Sequence, residues 1–131
     1  MEKLQIKGSW KSPHIILDSS GNFEIWGRSL PENVIDIYTP VLSWLDAYAK
    51  QPAAKTNVEV KLEYFNTSSS KLLYEIFKRF ESMKKAGNTI NVKWYFESDD
   101  PDLEEEGKMF ADLVDVPIEM IAVEEFEFTF Q

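Results

Sequence analysis

The chain has 131 residues, 44% of them hydrophobic and 14% aromatic, which suits one domain with a core that needs no disulfide or structural metal. Its formal charge of −9, from 14 basic and 23 acidic residues, argues against nucleic acid and anionic membrane surfaces, because both present phosphate that this balance repels. Cysteine is absent, so thiol catalysis, disulfide frameworks and thiolate metal sites are excluded.

In chain order, Met1 to Ser9 mixes charged and apolar residues without the apolar core of a signal peptide. No run approaches the roughly 18 apolar residues of a membrane span, so a cytoplasmic protein without membrane insertion is expected. Leu4 to Lys7 and His14 to Leu17 read as short strands, and Asn22 to Gly27 follows the turn residues Ser19, Ser20 and Gly21, so the second and third strands read as a hairpin. From Glu32 to about Lys50, Val34, Ile37, Val41, Leu42, Leu45 and Tyr48 recur at three- and four-residue spacing, with Trp44 on the flank. That periodicity predicts a first amphipathic helix.

Asn57 to Phe65 alternates Val58, Val60, Leu62 and Tyr64 against Glu59, Lys61 and Glu63, as a strand with one face in the core does. Asn66 to Ser70 is a cluster of helix-capping types, and Leu72, Leu73, Ile76, Phe77, Phe80 and Met83 carry a second helix that stops at Gly87. Asn88 to Phe96 alternates again through Ile90, Val92, Trp94 and Phe96. Asp100, Pro101 and the glutamates after them form a helix start, with Leu103, Phe110 and Leu113 as the apolar side. Ile118 to Val123 returns to a strand, and Phe126, Phe128 and Phe130 alternate once more, as a core face or as a partner or dimer surface. No repeat or linker divides the chain, so residues 1–131 are expected to form a single α/β domain with a mixed, mostly parallel sheet, an antiparallel N-terminal hairpin and about three helices.

Two strand-to-helix loops draw notice: Gly27-Arg28-Ser29-Leu30-Pro31-Glu32-Asn33 and Phe65-Asn66-Thr67-Ser68-Ser69-Ser70-Lys71. If their strands are neighbours, the loops meet at the carboxyl edge, where α/β proteins place their sites. The hydroxyls of Thr67 to Ser70 then stand at a helix N-terminus, which favours negative charge, and a phosphate of about −1.5 to −2 charges fits there. By spacing alone the same cluster is an ordinary helix cap.

The blocks Gly27-Arg28-Ser29-x-Pro31-Glu32-Asn33, Tyr38, Pro40, Leu62-Glu63-Tyr64-Phe65-Asn66-Thr67-Ser68-Ser69-Ser70-Lys71, Val92-x-Trp94-Tyr95, Asp99-Asp100 and Glu106-Gly107 together resemble the SiaC-type regulatory phosphoproteins. The resemblance runs over nearly the whole chain. It implies a fold similar to STAS domains, the anti-sigma-factor-antagonist type, and a partner-switching role in cyclic-di-GMP signalling that governs biofilm formation and aggregation. In such systems a protein kinase phosphorylates the domain on a threonine and a PP2C-type phosphatase reverses this. The unmodified form binds and activates a diguanylate cyclase. The threonine falls on Thr67, with Ser68 and Ser69 as alternatives.

Around it, Arg28, Ser29, Pro31, Glu32, Asn33, Asn66, Ser68 and Lys71 are the expected partner-binding residues. Several carry a plainer reading: Arg28 as an ion pair with Glu32, Pro31 as the first residue of a helix, and Asn66 and Ser68 as loop-shaping or capping residues. No cofactor is expected. The acidic run Asp99 to Glu106 lacks the glycine turn and ligand spacing of a calcium loop, and His14 has no second ligand near it in sequence. No general base stands in recognisable relation to any hydroxyl, so catalysis on this edge is disfavoured. The remaining alternative is a constitutive scaffold or dimerisation module without a phospho-switch.

Overall fold

The computed structural model describes residues 1–128. A six-stranded sheet runs in the order β1 (Leu4–Ile6), β2 (His14–Leu17), β3 (Asn22–Ser29), β4 (Lys55–Phe65), β5 (Thr89–Glu97) and β6 (Ile118–Val123). β1, β2 and β3 pair antiparallel, whereas β3 to β6 are parallel. Helices α1 (Val34–Tyr48), α2 (Thr67–Lys85) and α3 (Pro101–Leu113) make the crossovers. Each parallel strand is followed by its immediate neighbour in the same direction, so right-handed crossovers put all three helices on one face.

Packing on that face follows the alternation. Phe23 of β3 meets Trp44 and Tyr48 of α1 and Phe80 of α2, and Trp94 of β5 meets Phe77 of α2 and Phe110 of α3. Ile90, Val92, Trp94 and Phe96 are all buried, as their spacing requires. The opposite face carries Glu24, Trp26 and Arg28 on β3, Glu59 and Lys61 on β4, and Tyr95 and Glu97 on β5, each partly exposed. Here His14 stacks flat on Trp26 at 3.8 Å.

Four expectations change. Tyr64, read as an inward residue, is 50% exposed while Phe65 is buried, because a bulge sets Gly27 and Arg28 against Leu62 and Tyr64 and leaves Glu63 as the extra residue. Gly27 supplies the bend at φ 106, a conformation that side-chain-bearing residues rarely adopt. Leu113, assigned to the apolar side of α3, is 52% exposed at the helix end, and Val114 and Val116 enter the core instead. Helix α1 starts at Val34 on an Asn33 cap, so Pro31 precedes the helix and does not open it. Residues 124–128 form no strand; Phe126 and Phe128 stack on each other at 5.0 Å, and Phe128 lies 5.2 Å from Trp26 on the open face. Phe130 lies outside the described residues.

Candidate functional site

The carboxyl edge assembles as adjacency demands. β3 and β4 are parallel neighbours with Ser29 opposite Phe65, so the turn into α1 and the turn into α2 lie side by side. The Asn66 amide donates to the Ser29 carbonyl at 3.0 Å, and the Ser69 hydroxyl donates to the same carbonyl at 2.8 Å. Ser29 Oγ donates to Ser69 Oγ at 2.8 Å. With both serine protons committed, the 2.6 Å contact between Ser29 Oγ and Tyr38 Oη takes its proton from the tyrosine. The result is a buried chain of hydroxyls that ties α1, β3 and α2 together. Burial pushes the Tyr38 phenol up to about 12.

Asn66 is the N-cap of α2: its side chain accepts from the Ser69 amide at 2.9 Å and from the Ser68 hydroxyl at 3.2 Å. Thr67 is the first helical residue and is exposed. Among the described residues its hydroxyl makes no hydrogen bond, and it stands beside amides that the helix leaves without intrahelical partners. Ser68 is exposed as well, but Ser69 is 0% exposed. No described hydrogen bond of Ser29, Ser68 or Ser69 reaches a histidine or a carboxylate, so none is arranged as an activated nucleophile.

Of the other expected residues, Lys71, Glu32 and Asn33 are exposed and Pro31 is half-buried, while Ser29 is sealed inside. The Arg28 guanidinium bonds Glu63 at 2.8 Å across the bulge, in place of the pair with Glu32 that sequence proximity suggested. The Asn33 side chain accepts from the Asp36 amide at 3.3 Å. The acidic run is a helix start, with Asp100 capping α3 by accepting from the Leu103 amide at 3.1 Å. No group of three or more potential metal ligands occurs among the described residues.

Three features escaped the sequence. Tyr38 belongs to a second stripe with Val41, Leu45 and Tyr48, visible in the 3-4-3 spacing but overlapped by the first. Tyr64 required knowledge of the bulge. Across from Thr67, α3 closes a groove of about 610 Å³, lined by Tyr64, Thr67, Asp102, Glu106 and Met109 among others. Elsewhere along this edge, the loop before β2 is held by the Leu30 amide donating to the Lys11 carbonyl at 2.8 Å. It presents Trp10, 57% exposed, and the first turn of α1 presents Ile35, 56% exposed. Tyr64 and Met109 are exposed on this edge as well.

The SiaC family regulatory phosphoprotein model matches residues 6–123. Among solved structures, SiaC of Pseudomonas aeruginosa superposes with a TM-score of 0.86 at 24% identity, over 94% of this chain and 100% of that one. The SiaC chain in the crystal structure of the diguanylate cyclase SiaD with its activator SiaC, also from Pseudomonas aeruginosa, gives a TM-score of 0.86 at 24% identity, over 92% and 99%. An uncharacterised protein of Pseudomonas aeruginosa strain UCBPP-PA14 is 26% identical over 98 residues, which is 74% of this chain and 78% of that protein. The match to the family model spans most of the chain and agrees with the six-stranded mixed sheet and three helices, so this protein belongs to the SiaC family of regulatory phosphoproteins.

Proposed function

We propose that this chain, as one cytoplasmic domain over residues 1–131, is the switched component of a partner-switching system. A protein kinase phosphorylates Thr67, a PP2C-type phosphatase removes the group, and the unmodified form binds and activates a diguanylate cyclase. The observation that carries this is the placing of Thr67: exposed at the head of α2, on an edge with four exposed apolar side chains, while the nearby Ser69 is sealed inside. A phosphoryl group there meets free helix amides and the positive end of the dipole, and so adds charge without breaking the core. The family supports the regulatory role. In Pseudomonas aeruginosa the relative SiaC is the activator bound to SiaD.

The purified chain, incubated with ATP and the kinase of its own genome, should be labelled on Thr67 when mapped by mass spectrometry, and Thr67→Ala should abolish labelling. Thr67→Asp should weaken binding to the cyclase by about tenfold or more, equivalent to ~1.4 kcal/mol. Labelling at another residue, or unchanged cyclase affinity for both variants, would refute the switch at this position.

A further inference from the structure

We infer that the groove between α3 and the head of α2 seats a basic, amphipathic segment of the protein partner, with an apolar anchor between Tyr64 and Met109 and Lys or Arg side chains against Asp102 and Glu106. The inference deepens the function proposed above by giving the chemistry of the partner at the same edge. Its basis is a cavity combined with two kinds of lining.

The groove encloses about 610 Å³, room for several side chains. Phe65 and Leu103 lie buried in its lining, while Tyr64 and Met109 are 50% and 39% exposed at its wall. Desolvating such residues is the usual source of affinity in a protein interface. Every charged residue in the lining is a carboxylate: Glu63, Asp100, Asp102, Glu105 and Glu106. Three are already engaged within the chain. Glu63 holds Arg28, Asp100 caps the Leu103 amide, and Glu105 lies 3.8 Å from Lys108. Among the described residues Asp102 and Glu106 make no ion pair, so both are available to a cation from outside. An acidic or phosphate-bearing ligand would be repelled here.

Thr67 forms part of the same lining. A phosphoryl group on it would stand where the apolar anchor enters, and burying a dianion against Tyr64 and Met109 opposes docking. At contact range the dianion also attracts the basic side chains, so weaker docking after phosphorylation requires that exclusion of the anchor outweigh this attraction. The groove thus links the modified hydroxyl to the seat of the partner with no change in the fold.

Two measurements test this on the full chain. In the first, the ¹⁵N-labelled protein is titrated with a synthetic amphipathic helical peptide of Leu and Lys, and with an analogue carrying Glu for Lys. The Lys peptide should shift resonances centred on Tyr64, Thr67 and Met109, the Glu peptide should not, and Asp102→Asn/Glu106→Gln should weaken the former about tenfold. Shifts centred elsewhere, or indifference to the double variant, overturn the inference. In the second, binding to the diguanylate cyclase of the same genome is measured at low and high salt. Met109→Ala and the double variant should each lose about tenfold or more, the double variant with a shallower salt dependence. A dispersed amide spectrum confirms that each variant is folded. If Thr67→Asp weakens cyclase binding but the groove variants do not, the switch stands and the groove assignment falls. If the wild-type chain fails to bind the cyclase while the Lys peptide still maps to the groove, the proposed output falls and the groove assignment stands.

Discussion

At the scale of residues, Thr67, Ser68 and Ser69 show how a helix start sorts similar hydroxyls. Successive residues turn by about 100° around the axis, so Thr67 and Ser68 face solvent while Ser69 turns inward to the Ser29 carbonyl. Removing that inner hydroxyl leaves buried Ser29 Oγ without its acceptor. Ser69→Ala should therefore cost about 1 to 3 kcal/mol in urea unfolding, while Thr67→Ala should leave the unfolding midpoint unchanged. Glu81 is a buried carboxylate held by bonds from two parts of the chain. Bonds from Lys78 at 2.6 Å and from the Asp115 amide at 2.6 Å hold its carboxyl at about 2, below an ordinary 4.5. A carboxyl depressed by folding contributes stability that is complete above its unfolded value and disappears as pH falls toward its folded one. Wild-type stability should thus decline from about pH 5 to pH 2, and Glu81→Gln should show a flatter decline in that window when unfolding is followed by circular dichroism.

At the scale of elements, the site depends on one irregularity and one close approach. The bulge at Gly27 and Arg28 lets β4 end with Tyr64 outward and Phe65 inward, where a regular strand would reverse them. Without it the groove would lose an exposed aromatic and the core would lose a ring that packs on Trp94 at 5.9 Å. Helix α3, the other wall, lies tight on the sheet through Gly107. A methyl group there would meet the Trp94 ring at 2.6 Å and the Met120 methyl at 2.7 Å. Trp94 is also pinned by its indole N–H donating to the Leu103 carbonyl at 3.1 Å. Gly107→Ala should therefore destabilise the fold by about 1 to 3 kcal/mol and push α3 outward. A lowered melting temperature with altered Trp fluorescence is the expected reading; an unchanged melting temperature would contradict the close approach.

At the scale of the whole molecule, placing all helices on one face leaves the other face of the sheet to be covered by the chain's own tail. The Phe126 amide donates to Glu97 at 3.0 Å, and Phe128 reaches Trp26. Phe126 and Phe128, expected on a strand, lie outside any strand over part of the open face and leave about 520 Å³ of space over Trp26, Lys61 and Tyr95. The family match ends at residue 123, and the helix-side core does not involve the tail. A chain cut after Val123 should keep its far-ultraviolet dichroism and its labelling on Thr67, while Trp26 emission moves to the red. Loss of secondary structure would show that the tail holds the sheet together.

Composition and periodicity determined a great deal by themselves. The six strands, three helices, antiparallel start and parallel remainder follow from alternation of two, spacing of three and four, and capping residues, all of which act over a few neighbours in the chain, but the same alternation also suggested a strand in the tail that residues 124–128 do not form. The threonine at the head of α2 was legible in the same way, through local chemistry and through resemblance in the blocks around it. Other features depended on residues distant in sequence. The partner of Arg28 is Glu63 and not Glu32, because a bulge brings two strands into register. Ser29 and Ser69 are buried because Tyr38 and a carbonyl across the strand gap complete their bonds. The groove exists because α3 comes to rest beside α2. Local preference sets which element forms, but burial and pairing energies depend on what the folded chain brings within a few ångströms, and only tertiary packing decides that.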